Sequence, residues 1–405
     1  MRIKRNYLGG FLSHFPVKPG RSMGSQAKGG GLAGRAPILP YDAIPLTGRN
    51  GWINLLRLWN SDGFQRSHLV MVRNFERLGP VYRERIGNQE SLYIFLPEDV
   101  ATLVKAEGTT PRRMSIASWV AHRELRSYVL GVFLKNGDEW RTARIALNKE
   151  VAAPLAVAGF TPLLDSVARD FVAMVRRLQP GSWDLQTQLF RFSLEASCHA
   201  LYGRRLGLLE TENCPEAERF LQAVKVMLKT TFPILFLPVP LLKYLNTKLW
   251  RDHVAAWDTI FQYADWCIKE TSQKLQKVPE VRADGGKCVL SQLLAHSVLS
   301  QEAIKANMTE LTVGSVDTTA VSLHFALLEL ARNPRVQSAL RSEVTHAYRQ
   351  ARGQTSDILE NVPLLKATIK EVLRLYPVGT TLQRYPVTDI TLQNYHVPAG
   401  VRQCV

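Results

Sequence analysis

Glu310, Gly314 and Thr318 fall four residues apart in an apolar stretch of helical period, with Asp317 beside Thr318. On an α-helix that spacing sets a carboxylate, a gap and an alcohol on one broad face. A residue without a side chain lets a flat cofactor or a small ligand reach the backbone. An alcohol beside a buried acid can deliver protons to a reacting oxygen. Ser and Thr hydroxyls also bond back to the preceding turn, so 314–319 is where the helix is expected to distort. The plain alternative is a buried helix whose hydroxyls satisfy their own backbone. Glu371 follows 52 residues after Thr319 and stands i, i+3 from Arg374, a spacing that is ordinarily a surface ion pair. Trp140 and Arg144 are i, i+4, so an indole N–H and a guanidinium share a face and suit a carboxylate ligand. A core Trp with an exposed Arg is the ordinary reading of that pair. Cys404 ends the run GVRQC at 400–404.

The elements that must position these groups are mostly helical. Residues 52–59 (WINLLRLW) read as a short amphipathic helix, 81–86 and 91–96 as strands stopped by Pro97, and 98–376 as a long helical region. Asn333 and Pro334 close one helix and open the next, and Pro363 sits early in another. Residues 279–287 form a polar, glycine-bearing loop, and the last thirty residues read as short strands joined by turns. No GxGxxG follows a strand and no repeat is present, so the pattern is not a dinucleotide-binding one.

At 405 residues and 46% hydrophobic, the chain can bury a large core. Its charge of +16 would suit nucleic acid, but seven of the Lys and Arg residues lie in 1–41, which contains no acid. That composition suits an organelle transit peptide or a disordered tail. With no nucleic-acid motif in the remainder, a nucleic-acid partner is not expected. Five cysteines without CxxC spacing argue against a disulfide framework or a structural zinc site. No uninterrupted apolar run approaches the roughly 18 residues that span a bilayer; the proline-broken 232–242 run either dips into one leaflet or lines a core.

At these motifs, in this order, the chain resembles the cytochrome P-450 family. Residues 310–319 (ELTVGSVDTT), 328–334 (LELARNP), 373–379 (LRLYPVG) and 392–400 (LQNYHVPAG) are similar to its mitochondrial steroid 11β-hydroxylase and aldosterone synthase branch, and Ser315 favours that branch. The likeness covers about residues 36–400. It implies a mainly α fold with small β regions, a transit peptide over 1–36 and a cytochrome P-450 domain over 37–405, C-terminally incomplete. It further implies haem b held by an axial thiolate, with Cys404 and Arg402 in the ligand loop and Trp140, Arg144 and Arg384 on the propionates. Asp317 and Thr318 match the proton relay, and Glu371 and Arg374 the ion pair under the haem. Trp119, Phe133, Glu310, Val313, Gly314 and Thr318 match the steroid pocket. Thr381 falls where an aromatic often contacts the steroid.

The implied activity is steroid hydroxylation at the 11β position, with electrons from NADPH passed through a reductase and an acidic mitochondrial ferredoxin. Lys366 and Lys370 match the face that receives the ferredoxin, and a positive patch steers an acidic donor. Residues 52–59 and 232–242 match regions expected on the matrix side of the inner membrane. The alternatives are another mitochondrial steroid or sterol hydroxylase, or a catalytically dead truncated product.

The chain departs from the family pattern at its ligand loop. GVRQC satisfies the GxRxC part of FxxGxRxCxG, but Val397 takes the place of the Phe, and Cys404 comes only 30 positions after Arg374. The expectation is an internal deletion with Gly400 at its seam and a missing C-terminus. Cys404 is then either the haem ligand or a stray thiol.

Overall fold

The computed structural model describes residues 37–61, 63–179, 183–210, 214–277, 288–296, 298–351 and 355–404. The expected leader over 1–36 and the expected loop over 279–287 lie outside the described residues. Helices dominate, as the periodicity predicts: α1 Gly51–Asn60, α2 Ser67–Leu78, α3 Pro97–Ala106, α4 Ala117–Leu125, α5 Gly137–Leu147, α6 Pro154–Arg177, α7 Leu185–Tyr202, α8 Pro215–Ile234, α9 Val239–Tyr244 and α10 Lys248–Lys277. After these come α11 Val289–His296, α12 Gln301–Arg332, α13 Pro334–Gln350, α14 Thr355–Glu360 and α15 Pro363–Leu375. The strands are β1 Val81–Ile86, β2 Gln89–Ile94, β3 Gln383–Arg384, β4 Ile390–Leu392, β5 Tyr395–Val397 and β6 Gln403–Cys404.

Local chemistry sets the boundaries. Pro97, Pro154, Pro215, Pro334 and Pro363 each stand in the first turn of a helix, where a missing N–H costs nothing. The side chains of Asn50, Asp184 and Ser300 cap α1, α7 and α12 by accepting first-turn amides. Gln393 and Asn394 both carry positive φ in the two-residue turn of the β4–β5 hairpin, the geometry that matches strand twist.

α12 is central. It packs on α7, α10 and α15, and apolar residues occur all around it, as suits a helix contacted from several sides. By length and composition alone it could cross a membrane. Polar groups lock it in place: Ser193 of α7 donates to the Val316 carbonyl at 2.8 Å, and Tyr202 meets the Thr312 hydroxyl at 2.8 Å. The main core gathers around Leu194, Phe220, Trp257, Ile260, Met308 and Val316.

The larger sheet has strand order β1-β2-β6-β3. β1 and β2 are antiparallel, β6 lies parallel to β2, and β3 is antiparallel to β6. Gly87, at φ +59° between β1 and β2, presses on the Phe236 carbonyl, so a side chain there has neither the conformation nor the room.

Between α4, α8 and α10 the core holds two fully buried histidines. His122 meets Asp258 at 3.0 Å, and Asp258 also holds Arg126; His253 meets the Thr230 hydroxyl at 2.8 Å. Burial lowers His122 to about 4, with Asp258 opposing and Arg123 assisting. Burial, then His122 and Arg123, lower His253 to about 3. In β1, burial raises Glu84 to about 7. As pH falls below about 6.5 the unfolded chain protonates its histidines first, so these two groups withdraw stability down to their folded values. Glu84, protonated in the fold, opposes that trend as pH falls from its folded value to its unfolded one. Urea midpoints between pH 7 and pH 4 are expected to decline, less steeply in His122→Gln and more steeply in Glu84→Gln.

Candidate active site

The two halves of α12 do different work. Toward its C-terminal half, Gly314, Thr318 and Thr319 are exposed, and a Cβ placed on Gly314 would meet nothing within 4 Å. This is the open face that the spacing predicts. The expected distortion over 314–319 is absent: α12 runs unbroken. Thr318 donates to the Gly314 carbonyl at 2.7 Å and Ser315 to the Thr312 carbonyl at 3.1 Å. Both hydroxyls bond back without opening the ladder. Asp317 is half-buried, and burial raises its pKa against the pull of Lys225 on α8. It is therefore a half-buried acid next in the chain to an exposed alcohol.

Toward the N-terminal half, the structure brings together Trp119, Phe133, Glu310 and Val313. Trp119 of α4 donates from its indole to Thr231 of α8 at 2.7 Å, and its ring lies 4.7 Å from Trp257 and 5.5 Å from Phe133. Val313 is buried in the same cluster. Glu310 does not stand free on the Gly314 face. Its carboxylate accepts the Gly131 and Phe133 amides at 3.2 and 2.8 Å. Burial raises its pKa, while the Phe133 amide and Arg123 pull it back. Thr381 lies between α15 and β3, outside any helix or strand.

A cationic cleft of about 850 Å³ adjoins this wall, lined by Arg112, Arg113, Asn136, Gly137, Tyr385 and the 399–400 backbone among others. Arg113 lies 5.7 Å from the Trp140 ring and 5.9 Å from the Phe133 ring. Its pKa is lowered by burial, then by Arg384, with Arg144 adding to the effect. The expected set of Trp140, Arg144 and Arg384 thus gathers around an arginine that sequence reasoning missed. Arg384 is partly neutralised by Glu107 at 2.6 Å. The signal for Arg113 was the dibasic step at 112–113, which has no periodicity to distinguish it.

The Glu371–Arg374 pair and the Arg402–Cys404 segment complete the expected set. Glu371 and Arg374 form a bidentate pair at 2.8 and 2.7 Å. Both side chains are more than half exposed, so the pair is a surface one and not part of a core. The reason is that α15 buries only Val372. Lys366 and Lys370 are exposed on the same helix, one turn apart.

Cys404 stands in a strand and not in a loop. It pairs with Tyr93 of β2 and Gln383 of β3 across the middle of the sheet and is 2% exposed. Burial raises its thiol, with Arg402 and hydrogen bonds to Ser91 and Tyr93 opposing. The Arg402 guanidinium is itself buried against Ser91, Gln89 and Met114. β3, which carries Arg384, pairs with this strand, with Arg384 opposite Gln403.

Comparison with known proteins places this geometry in a family. The family model for cytochrome P450 matches residues 45–404. A mitochondrial cytochrome P450 11B of Aquarana catesbeiana is 49% identical over 368 residues, 89% of this chain and 71% of the relative. The mitochondrial cholesterol side-chain cleavage enzyme of Homo sapiens is 45% identical over 395 residues, 96% of this chain and 75% of the relative. That of Oncorhynchus mykiss is 44% identical over 368 residues, 89% of this chain and 71% of the relative.

The strand placement of Cys404 makes a direct expectation. Cys198, Cys267, Cys288 and Cys404 are buried and Cys214 is half-buried, and alkylation needs an accessible thiolate. Iodoacetamide on the native chain, read by peptide mass spectrometry, should label Cys214 first and Cys404 only after urea is added. Labelling of Cys404 at the rate of Cys214 would contradict its place in β6.

Proposed function

The chain belongs to the cytochrome P450 family, and from that premise we propose that it is a mitochondrial steroid hydroxylase acting at the 11β position. The observation that carries the proposal is the apolar aromatic wall of Trp119, Phe133 and Val313 beside the open Gly314–Thr318 face of α12. A rigid, flat and largely apolar substrate suits such a wall, since aromatic faces supply contact area at little conformational cost. The resemblance of residues 310–319 and 392–400 to the 11β-hydroxylase branch supports the position. The side-chain-cleaving relatives keep a different steroid reaction as the runner-up.

The family's cofactor is haem, which when bound supplies oxygen activation at its iron. Two parts of this chain fit that group. The side-chain-free surface at Gly314 leaves space for a flat ring. The Arg113, Arg144 and Arg384 cations with Trp140 suit two carboxylates. Cys404 in β6 does not fit the axial role, because its thiol is buried among Ser91, Tyr93 and Glu84 and is pushed up rather than held as a thiolate. What the chain's own residues do is bind and orient: the aromatic wall seats the steroid, and Asp317 and Thr318 hold exchangeable protons beside it. The exposed Lys366 and Lys370 suit an acidic ferredoxin.

The placement of Cys404 favours a second reading, in which the chain binds steroid without hydroxylating it. The carbon monoxide difference spectrum of the reduced, haem-supplied chain separates the two. The hydroxylase reading expects the red-shifted Soret band of thiolate ligation, together with 11β-hydroxylated product from 11-deoxycorticosterone when dioxygen, NADPH, the reductase and ferredoxin are supplied. The second expects saturable steroid binding with neither band nor product.

A membrane surface is the remaining proposed partner, on the matrix side of the mitochondrial inner membrane. Trp52, Ile53, Leu56 and Trp59 are exposed on α1. Phe64 bridges them to the second expected region, with its ring 5.8 Å from Trp59 and 5.5 Å from Phe232. Leu241 is exposed in that region, and Tyr244 and Leu245 just beyond it. Ring contacts through Phe64 thus join two segments that are distant in sequence. Burying each large side chain contributes ~1.5–3 kcal/mol, so Leu56→Ser with Trp59→Ser is expected to cut co-sedimentation with anionic lipid vesicles by at least about tenfold, with the urea midpoint unchanged.

A further inference from the structure

We infer that Asn307 is a positioning residue which acts with Glu310 to fix the 131–133 backbone, and through it the Phe133 face of the steroid wall. The inference rests on the steroid-binding reading above and adds a residue that neither the motifs nor the resemblance picked out.

Asn307 and Glu310 stand one turn apart on α12 and grip three successive amides. Gly131 donates to Glu310 Oε1 at 3.2 Å, Val132 to Asn307 Oδ1 at 2.7 Å, and Phe133 to Glu310 Oε2 at 2.8 Å. The Asn307 carboxamide is itself aimed, since its Nδ2 donates to the Ala303 carbonyl at 2.7 Å and leaves Oδ1 pointing outward. Asn307 is 2% exposed, a burial that an amide tolerates only when its partners are met. Gly131 is part of the fit, because a Cβ there would collide with the Glu310 carboxylate. From the opposite side Arg113 donates to the Val132 and Lys135 carbonyls at 3.1 and 2.9 Å. The segment is therefore held by acceptors on its amides and by a donor on its carbonyls. Phe133 reaches Trp119 from this held backbone although its side chain is largely open to solvent. Packing alone does not fix that ring, and the backbone grip does.

The test uses the full chain and needs neither haem nor turnover. Amide hydrogen exchange, resolved at Gly131, Val132 and Phe133, would be followed in Asn307→Ala and Glu310→Gln, each checked by far-ultraviolet circular dichroism. Losing its acceptor should speed exchange at Val132 roughly five- to tenfold in Asn307→Ala. A carboxamide offers one acceptor oxygen where the Glu310 carboxylate offers two, so Glu310→Gln should speed exchange at Gly131 or Phe133 and leave Val132 near the parent rate. In parallel, binding of 11-deoxycorticosterone read by tryptophan fluorescence should weaken in Asn307→Ala. Unchanged exchange at Val132 in Asn307→Ala would overturn the inference, and so would faster exchange there with steroid affinity unmoved. Should Asn307→Ala fail to fold, exchange left unchanged at both Gly131 and Phe133 in Glu310→Gln overturns it as well. If the parent chain binds no steroid while the exchange pattern holds, the steroid reading fails and the backbone grip stands.

Discussion

A carboxylate buried in a helix-lined core must be given hydrogen bonds, and at Glu310 this requirement organises everything around it. The central helix carries the acid into a place where burial disfavours its charge. The Gly131 and Phe133 amides answer it, so a loop that would otherwise run free is bound to the helix. The same loop carries Phe133 to Trp119 and offers its carbonyls to Arg113, which in turn lies among the cations of the cleft. One polar interaction thus ties the aromatic wall and the cationic cleft to a single helix. Losing the carboxylate would leave both the Gly131 and Phe133 amides without their acceptor, a costlier outcome than the loss of one contact.

The sheet follows a different logic. β6 is only two residues long, yet it sits between β2 and β3 and supplies pairing to both. Arg402 and Cys404 are therefore held by backbone geometry before their side chains are considered. Alternation places Arg402 and Cys404 on one face, where Ser91, Tyr93 and Glu84 surround them. A thiol in such a position is kept protonated by burial. An iron ligand needs the opposite: an open approach and stabilisation of the thiolate. The GxRxC pattern specifies residue types, but the strand pairing decides what those residues can reach.

The helices were legible because apolar period, proline and capping signals agree at most boundaries, as at Asn333 and Pro334 or at Pro363. The open face at Gly314 was legible too, since a glycine and an alcohol one turn apart on an apolar helix leave few other arrangements. The role of Glu310 was only half legible. Spacing placed it with Gly314 and Thr318, but the amides that hold it lie some 180 residues earlier in the chain, and no local pattern carries that pairing. Arg113 and Asn307 were hidden for the same reason, because each acts on backbone atoms, which leave no trace in residue type. Glu371 and Arg374 pair as their i, i+3 spacing ordinarily implies, on an exposed face of α15.

The unbroken course of α12 bears on how its polar residues act. Thr312, Ser315, Thr318 and Ser322 each return a hydroxyl hydrogen bond to the preceding turn, so their donors are satisfied within the helix. Thr312 is fully buried and its oxygen is taken by Tyr202, whereas the exposed Thr318 oxygen keeps acceptor capacity for a ligand or a water on the open face. Asp317 differs, because its carboxyl is half-buried and burial shifts it toward the protonated form against the pull of Lys225. The face therefore presents an exposed hydroxyl with a half-buried acid next to it in the chain. That arrangement needs no kink, and a straight helix is sufficient to hold a polar oxygen beside an apolar wall.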